Sequence, residues 1–138
     1  MTNASMTGRC LCGDITFTAR EVETEIHACH CSMCRTWSGG PVLGAAVASV
    51  EYSGEENIAV YGSSEWAERG FCKTCGTNLF YRFKESGQHV LWSGTFDDPA
   101  AFRLVGEIYI DEKPAGYAFA GDHIRQTGAE FMASLSNE

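Results

Sequence analysis

Apolar and polar positions alternate in short runs along this chain, and Gly, Ser, Asp and Asn separate the runs. This pattern, short runs rich in β-branched and aromatic residues closed by turn-forming residues, marks short strands. It predicts strands over "ITFTA" (15–19), "EIHAC" (25–29), "VLGAAV" (42–47) and "NIAVYG" (57–62). Further strands are expected over "NLFYRF" (78–83), "HVLWSGTF" (89–96) and "GEIYID" (106–111). Helical signals are few. In "DDPAAF" an acidic residue precedes Pro99, which suits one helical turn. Thr127 and Glu130 have capping-box spacing ahead of Phe131 and Leu135 and predict a short final helix. The fold class is therefore mainly β with few short helices. With no internal repeat, low-complexity tract or long linker, residues 1–138 read as a single domain.

Composition adds limits. A chain that is 44% hydrophobic and 20% charged is an ordinary soluble globular protein. Its net charge of −8 repels phosphate backbones and anionic lipid, and no Lys/Arg cluster offers a local exception. Nucleic acid and membrane are thus not expected partners. The most apolar stretch, "PVLGAAVASV" (41–50), has about half the length of a bilayer span. The N-terminal "MTNASMTGRC" lacks the basic start and apolar run of a secretory signal. The expected compartment is a reducing cytoplasm, where thiols stay free or bind metal. The sequence carries no signal for oligomeric state.

Against that background seven cysteines stand out, in "CLCG" (10–13), "CHCSMC" (29–34) and "CKTCG" (72–76). Residues two apart in an extended segment point to one side, so Cys10 and Cys12 can present both sulfurs to one metal. Cys72 and Cys75 have the gap of a zinc knuckle, and Gly76 suits the tight turn. Together the two pairs make a closed four-thiolate site. Subtracting them leaves Cys29, Cys31 and Cys34, three ligands with an open fourth position, the arrangement of catalytic zinc. Two zinc ions per chain is the favoured reading. Other partitions stay open: Cys10 and Cys12 can join the middle cluster, which would leave Cys72 and Cys75 for redox work. Disulfides, a thioredoxin-like "CKTC" and an iron–sulfur cluster fit the missing export signal, the strand-like flanks and the spacings less well.

In an extended 27–31 segment His27 shares a face with Cys29 and Cys31, whereas His30 points the other way. His27 is the candidate fourth ligand or a nearby proton carrier. His89 and His123 lie in no motif. Three thiolates leave a dication with net charge −1, a poor generator of hydroxide but a suitable partner for a soft sulfur ligand. A thiol bound there would be held as a reactive thiolate. The donor set therefore points to a thiol substrate.

"GRCLCG", "CHCSMCR" and "FCKTCGTNLF", with "SGTFDDP" at 93–99, resemble the glutathione-dependent formaldehyde-activating (GFA) family, which includes centromere protein V. The resemblance covers residues 8–112. It implies structural zinc on Cys10, Cys12, Cys72 and Cys75 and catalytic zinc on Cys29, Cys31 and Cys34. It also implies small antiparallel sheets around the metal, in the tent-like zinc fold shared with zinc-binding methionine sulfoxide reductases. The implied activity is that of a carbon–sulfur lyase joining glutathione, or another small thiol, to formaldehyde or a similar aldehyde. His30, Arg35, Trp37 and Ser38, next to the middle cluster, are the candidate substrate-binding residues. Arg35 can pair with a substrate carboxylate. Where the family places an aromatic after "DEK" and proline, Tyr117 is the nearest match, and the tail beyond it matches no motif. Two alternatives remain. One is a non-catalytic zinc module that binds a protein partner or buffers metal, its second site closed by His27 or a neighbouring chain. The other is methionine sulfoxide reduction, which needs a metal-free thiolate that two filled sites would not leave.

Overall fold

The computed structural model describes residues 1–136 of the chain. Ten strands, two α-helices and four single 3-10 turns are formed among them. The first half holds β1 (Thr2–Arg9), β2 (Thr16–Glu23), β3 (Glu25–Cys29), α1 (Ser32–Ser38), β4 (Val42–Ser53) and β5 (Ile58–Tyr61). The second half holds β6 (Ala67–Cys72), β7 (Asn78–Phe83), β8 (His89–Trp92), β9 (Arg103–Ile108), β10 (Ile124–Arg125) and α2 (Gly128–Ser136). The protein is mainly β, as the alternation predicts.

Strand β4 joins the sheet together. Its twelve residues pair with β3 over Val42–Gly44, with β8 over Gly44–Val47 and with β2 over Val47–Ser53. The path runs β10-β9-β3-β4-β8-β7-β6-β5, and β1 adds to the outer edge of β2. Strand β9 lies parallel to β3 and β10 parallel to β9, whereas all other pairs are antiparallel. The core is one cluster that includes Ile15, Phe17, Ala19, Val22, Ile26, Val47, Leu79, Phe80, Leu91 and Phe96. Each large aliphatic or aromatic side chain there contributes about 1.5–3 kcal/mol by leaving water. Two glycines admit aromatic rings from the facing strand. Gly70 pairs with Phe80 and Gly8 with Phe17, and a Cβ at either glycine would lie 2.2 Å from the ring's Cζ.

Several elements depart from the sequence expectation for physical reasons. Strand β1 has little apolar alternation because it is an edge strand that buries only Met6 and Gly8. Strand β6 reads as polar because it buries Arg69 and Gly70 beside Ala67 and Cys72. Helix α1 starts on an unusual cap, the Cys31 sulfur accepting the Cys34 N–H at 3.4 Å, and stops at Gly39 with φ 80°. The expected 106–111 strand sits at 103–108, since Tyr109 turns left-handed (φ 55°) and ends it. The expected 89–96 strand stops at Trp92, where the Thr95 hydroxyl bonds the Trp92 carbonyl. The final capping box forms as expected: the Thr127 N–H donates to Glu130, and the Glu130 N–H donates to Thr127 Oγ1. Among the described residues no helix is long and apolar enough to cross a membrane.

Candidate metal centres

The turn after β1 and the turn between β6 and β7 meet. Both are knuckles closed by left-handed glycines, Gly13 (φ 81°) and Gly76 (φ 79°). They bring the sulfurs of Cys10, Cys12, Cys72 and Cys75 within 4.8 Å of one another. The Cys10–Cys12 and Cys12–Cys72 separations are 3.6 and 3.8 Å. A tetrahedral ion about 2.3 Å from four thiolates puts the sulfurs about 3.8 Å apart, so this set fits zinc. Backbone N–H groups of Ile15 and Cys75 point at Cys10 and Cys72, and the Thr77 hydroxyl lies 3.1 Å from Cys75. Thr77 and its N–H hold the Cys75 thiol down at about 5. Cys10 and Cys72 are fully buried.

The end of β3 and the start of α1 form a second set. The sulfurs of Cys29, Cys31 and Cys34 also lie within 4.8 Å of one another, with Cys34 buried and the other two partly exposed. Val42, Trp92, Tyr81 and Val90 pack around it. Cys31 is the strong acid of the three, lowered to about 2. Sulfhydryl bonds with Cys29 and Cys34 and the N–H groups of Cys34 and Met33 outweigh burial. The Cys29 thiol is raised by the same sharing and by burial. Both clusters are compatible with zinc, and no disulfide links any of the seven cysteines.

Charged and polar side chains back the second set. Arg69, buried on β6, aims Nη1 and Nη2 at the Cys34 sulfur, 3.8 and 3.6 Å away. His30, between Cys29 and Cys31, is fully buried; its Nε2 bonds Glu107 Oε1 at 2.6 Å and its Nδ1 meets the Tyr117 hydroxyl at 2.9 Å. The other Glu107 oxygen takes His123 Nε2 at 2.5 Å and Arg125 Nε at 3.0 Å. Burial raises Glu107, but the bonds from His123 and His30 and the Arg125 charge outweigh it and hold the carboxyl low. Burial and the nearby cysteine sulfurs push the phenols of Tyr109 and Tyr81 up.

The remaining residues singled out from sequence are spread more widely. His27 shares the Cys29 face of β3, yet it is not in the sulfur group, and its ring lies over Gly106 of β9. Arg35 bonds the His30 carbonyl through Nε at 2.9 Å. Trp37 stacks on Tyr61 and meets Phe71 edge-on, and Ser38 takes the Asn78 amide.

Residues 5–112 match the family described as glutathione-dependent formaldehyde-activating enzyme (GFA). The chain belongs to the GFA family. It is also similar to a Schizosaccharomyces pombe protein named an uncharacterized lyase. The two are 32% identical over 130 residues, covering 93% of this chain and 95% of the relative. The fold is similar to the crystal structure of a Rhodobacter sphaeroides protein, with TM-score 0.53 and 21% identity over 87% of this chain and 99% of that one. At that identity the likeness speaks for fold alone.

Both cysteine sets, Arg69 and Glu107 fall inside the GFA match, whereas Tyr117, His123 and Arg125 lie beyond it. The tail thus completes a buried network behind a cluster that the family region supplies. Sequence reading passed over Arg69, Glu107 and His123. The available signal was a charged residue set among apolar neighbours, as in "VGEIYI" and "RGFC".

Proposed function

We propose that this GFA-family protein is a zinc-dependent carbon–sulfur lyase that adds a small thiol, glutathione first among candidates, to formaldehyde. One observation carries the reading. Beside a four-sulfur set stands a second set of three, Cys29, Cys31 and Cys34, two of which reach the surface. The family description and the lyase name of the Schizosaccharomyces pombe relative support the reaction class.

Cys10, Cys12, Cys72 and Cys75 would hold a structural zinc, and Cys29, Cys31 and Cys34 a second one. Zinc at the second set would supply thiol activation, keeping the substrate sulfur as a nucleophilic thiolate at neutral pH. The chain does the rest. Tyr81 packs against the three-sulfur set, and its phenol, protonated at neutral pH, is the candidate donor. As the sulfur–carbon bond forms, the carbonyl π pair moves to oxygen and takes a phenol proton to complete the hydroxymethyl product, and the proton the thiol gave up restores the phenol. Arg35 uses its Nε on a backbone carbonyl, and among the described residues its two terminal nitrogens are left for a substrate carboxylate. His30 acts from behind, fixing the turn that carries Cys29 and Cys31, since its ring faces Glu107 and not solvent.

Exchange NMR of glutathione and formaldehyde, with and without the protein, tests this. Acceleration of S-(hydroxymethyl)glutathione formation is expected and should vanish in Cys31→Ser. Unchanged acceleration in that variant, or none in the zinc-loaded wild type, would overturn the reading.

A further inference from the structure

Arg69 is 2% exposed, yet no carboxylate pairs with it among the described residues. The contrast within the sheet is informative. Its neighbour Glu68 takes the opposite face of β6 and pairs with Arg82 at 2.6 Å, while Arg125 pairs with Glu107 and Arg20 with Glu51. Arg69 instead has the Cys34 sulfur before both terminal nitrogens and the Tyr81 ring 5.2 Å from its carbon. A buried guanidinium is strongly disfavoured unless negative charge faces it. The cysteine cluster supplies the negative charge here.

We propose that Arg69 is a positioning residue that sets the charge of the three-cysteine site so that it admits an anionic sulfur ligand. This rests on the proposed thiol chemistry. Three thiolates and a dication carry net charge −1, and an incoming thiolate would raise that to −2 in a partly buried place. The guanidinium brings the resting total to zero and the thiol-bound total to −1. Its N–H groups also fix Cys34, the most buried of the three sulfurs, as hydrogen bonds from outside a metal site orient its ligands. A neutral ligand gains far less from this cation than an anionic one. Arg69 therefore selects for thiolates over neutral donors.

The test uses the full-length protein loaded with Co(II), whose thiolate charge-transfer absorption reports ligands entering the site. Wild type, Arg69→Met and Arg69→Lys are titrated with 2-mercaptoethanol and, separately, with imidazole. Arg69→Met should bind the thiol about ten- to a hundredfold more weakly, the effect of one unit charge at short range, with imidazole affinity unchanged. Arg69→Lys, which keeps the charge, should recover most of the thiol affinity. Arg69→Gln carries the same test should the Met variant fail to fold, with far-UV circular dichroism as the check. Equal loss for both ligands, or loss for neither, would overturn the role of Arg69 and leave the thiol chemistry standing. A wild type that binds imidazole but no thiol would overturn the proposed function, and the Arg69 inference with it.

Discussion

Glu107 Oε1 and His30 Nε2 lie 2.6 Å apart, and neither side chain is more than 1% exposed. The pair ties β9 to the β3–α1 turn, whose backbone is also held by the His30 N–H on the Ile108 carbonyl. His30 is flanked by Cys29 and Cys31, so the pair fixes the position of two of the three sulfurs. Glu107→Ala would strip the partner from His30, His123 and Arg125 together. Breaking a buried ionic network by removing one member costs about 3–5 kcal/mol. Glu107→Gln keeps the shape and one acceptor, and should cost about 1–3 kcal/mol. Urea unfolding of the metal-loaded proteins measures both; equal stability of wild type and Glu107→Ala would refute the network's role.

The same carboxyl predicts a pH dependence. The folded state holds Glu107 below its ordinary 4.5, so ionised Glu107 favours the fold at every pH above about 4.5. That contribution is lost as pH falls from 4.5 through the lowered folded value. The stability gap between wild type and Glu107→Gln should shrink as pH falls below about 4.5. Denaturant midpoints at each pH, with metal content checked alongside, show whether it does. A gap that widens below pH 4.5 would reverse the assigned sign.

How much of this was legible in the sequence depends on what each residue contacts. Cysteine spacing carries the metal sets because a knuckle is a local object: Cys72, Cys75 and Gly76 specify their own turn. The core strands were visible because Phe17 and Ala19 sit between polar positions and because "HVLW" is a β-branched and aromatic run. Strand β1 was not visible, since an edge strand paired on one side need bury little. Glu107 and Arg69 were hidden for a different reason. Their partners lie far along the chain, His30 at 77 residues and Cys34 at 35. An apolar setting such as "VGEIYI" hints at burial, but no local pattern says which distant residue the charge will meet. The tail was unreadable in the same way, because Tyr117, His123 and Arg125 acquire meaning only where they meet His30 and Glu107.

Gly70→Ala is a sharper test of the fold than its size suggests. The added methyl would meet Phe80 Cζ at 2.2 Å, and Phe80 is fully buried and cannot swing away. Overpacking of this kind costs about 1–3 kcal/mol. Gly70 lies between Arg69 and the Phe71–Cys72 end of β6, so strain there reaches both cysteine sets. We expect a lower unfolding midpoint and weaker metal retention at both sets. A fully stable Gly70→Ala would mean that β6 and β7 are not in the register described.

The two cysteine sets should also answer differently to loss of a ligand. Cys12 and Cys72 are 60 residues apart, so a metal on the four-sulfur set closes a long loop and clamps the end of β1 to β6. Structural zinc of this kind contributes about 10–16 kcal/mol to folding in small zinc domains. Cys29, Cys31 and Cys34 span one turn whose backbone is already held by α1, β9 and Glu107. Their metal would add chemistry more than stability. Cys72→Ser should thus lose metal and much of its β-sheet signal, whereas Cys31→Ser should lose one equivalent and remain folded. Elemental analysis with far-UV circular dichroism on both variants decides the matter. If Cys31→Ser unfolds while Cys72→Ser does not, the structural and catalytic assignments must be exchanged.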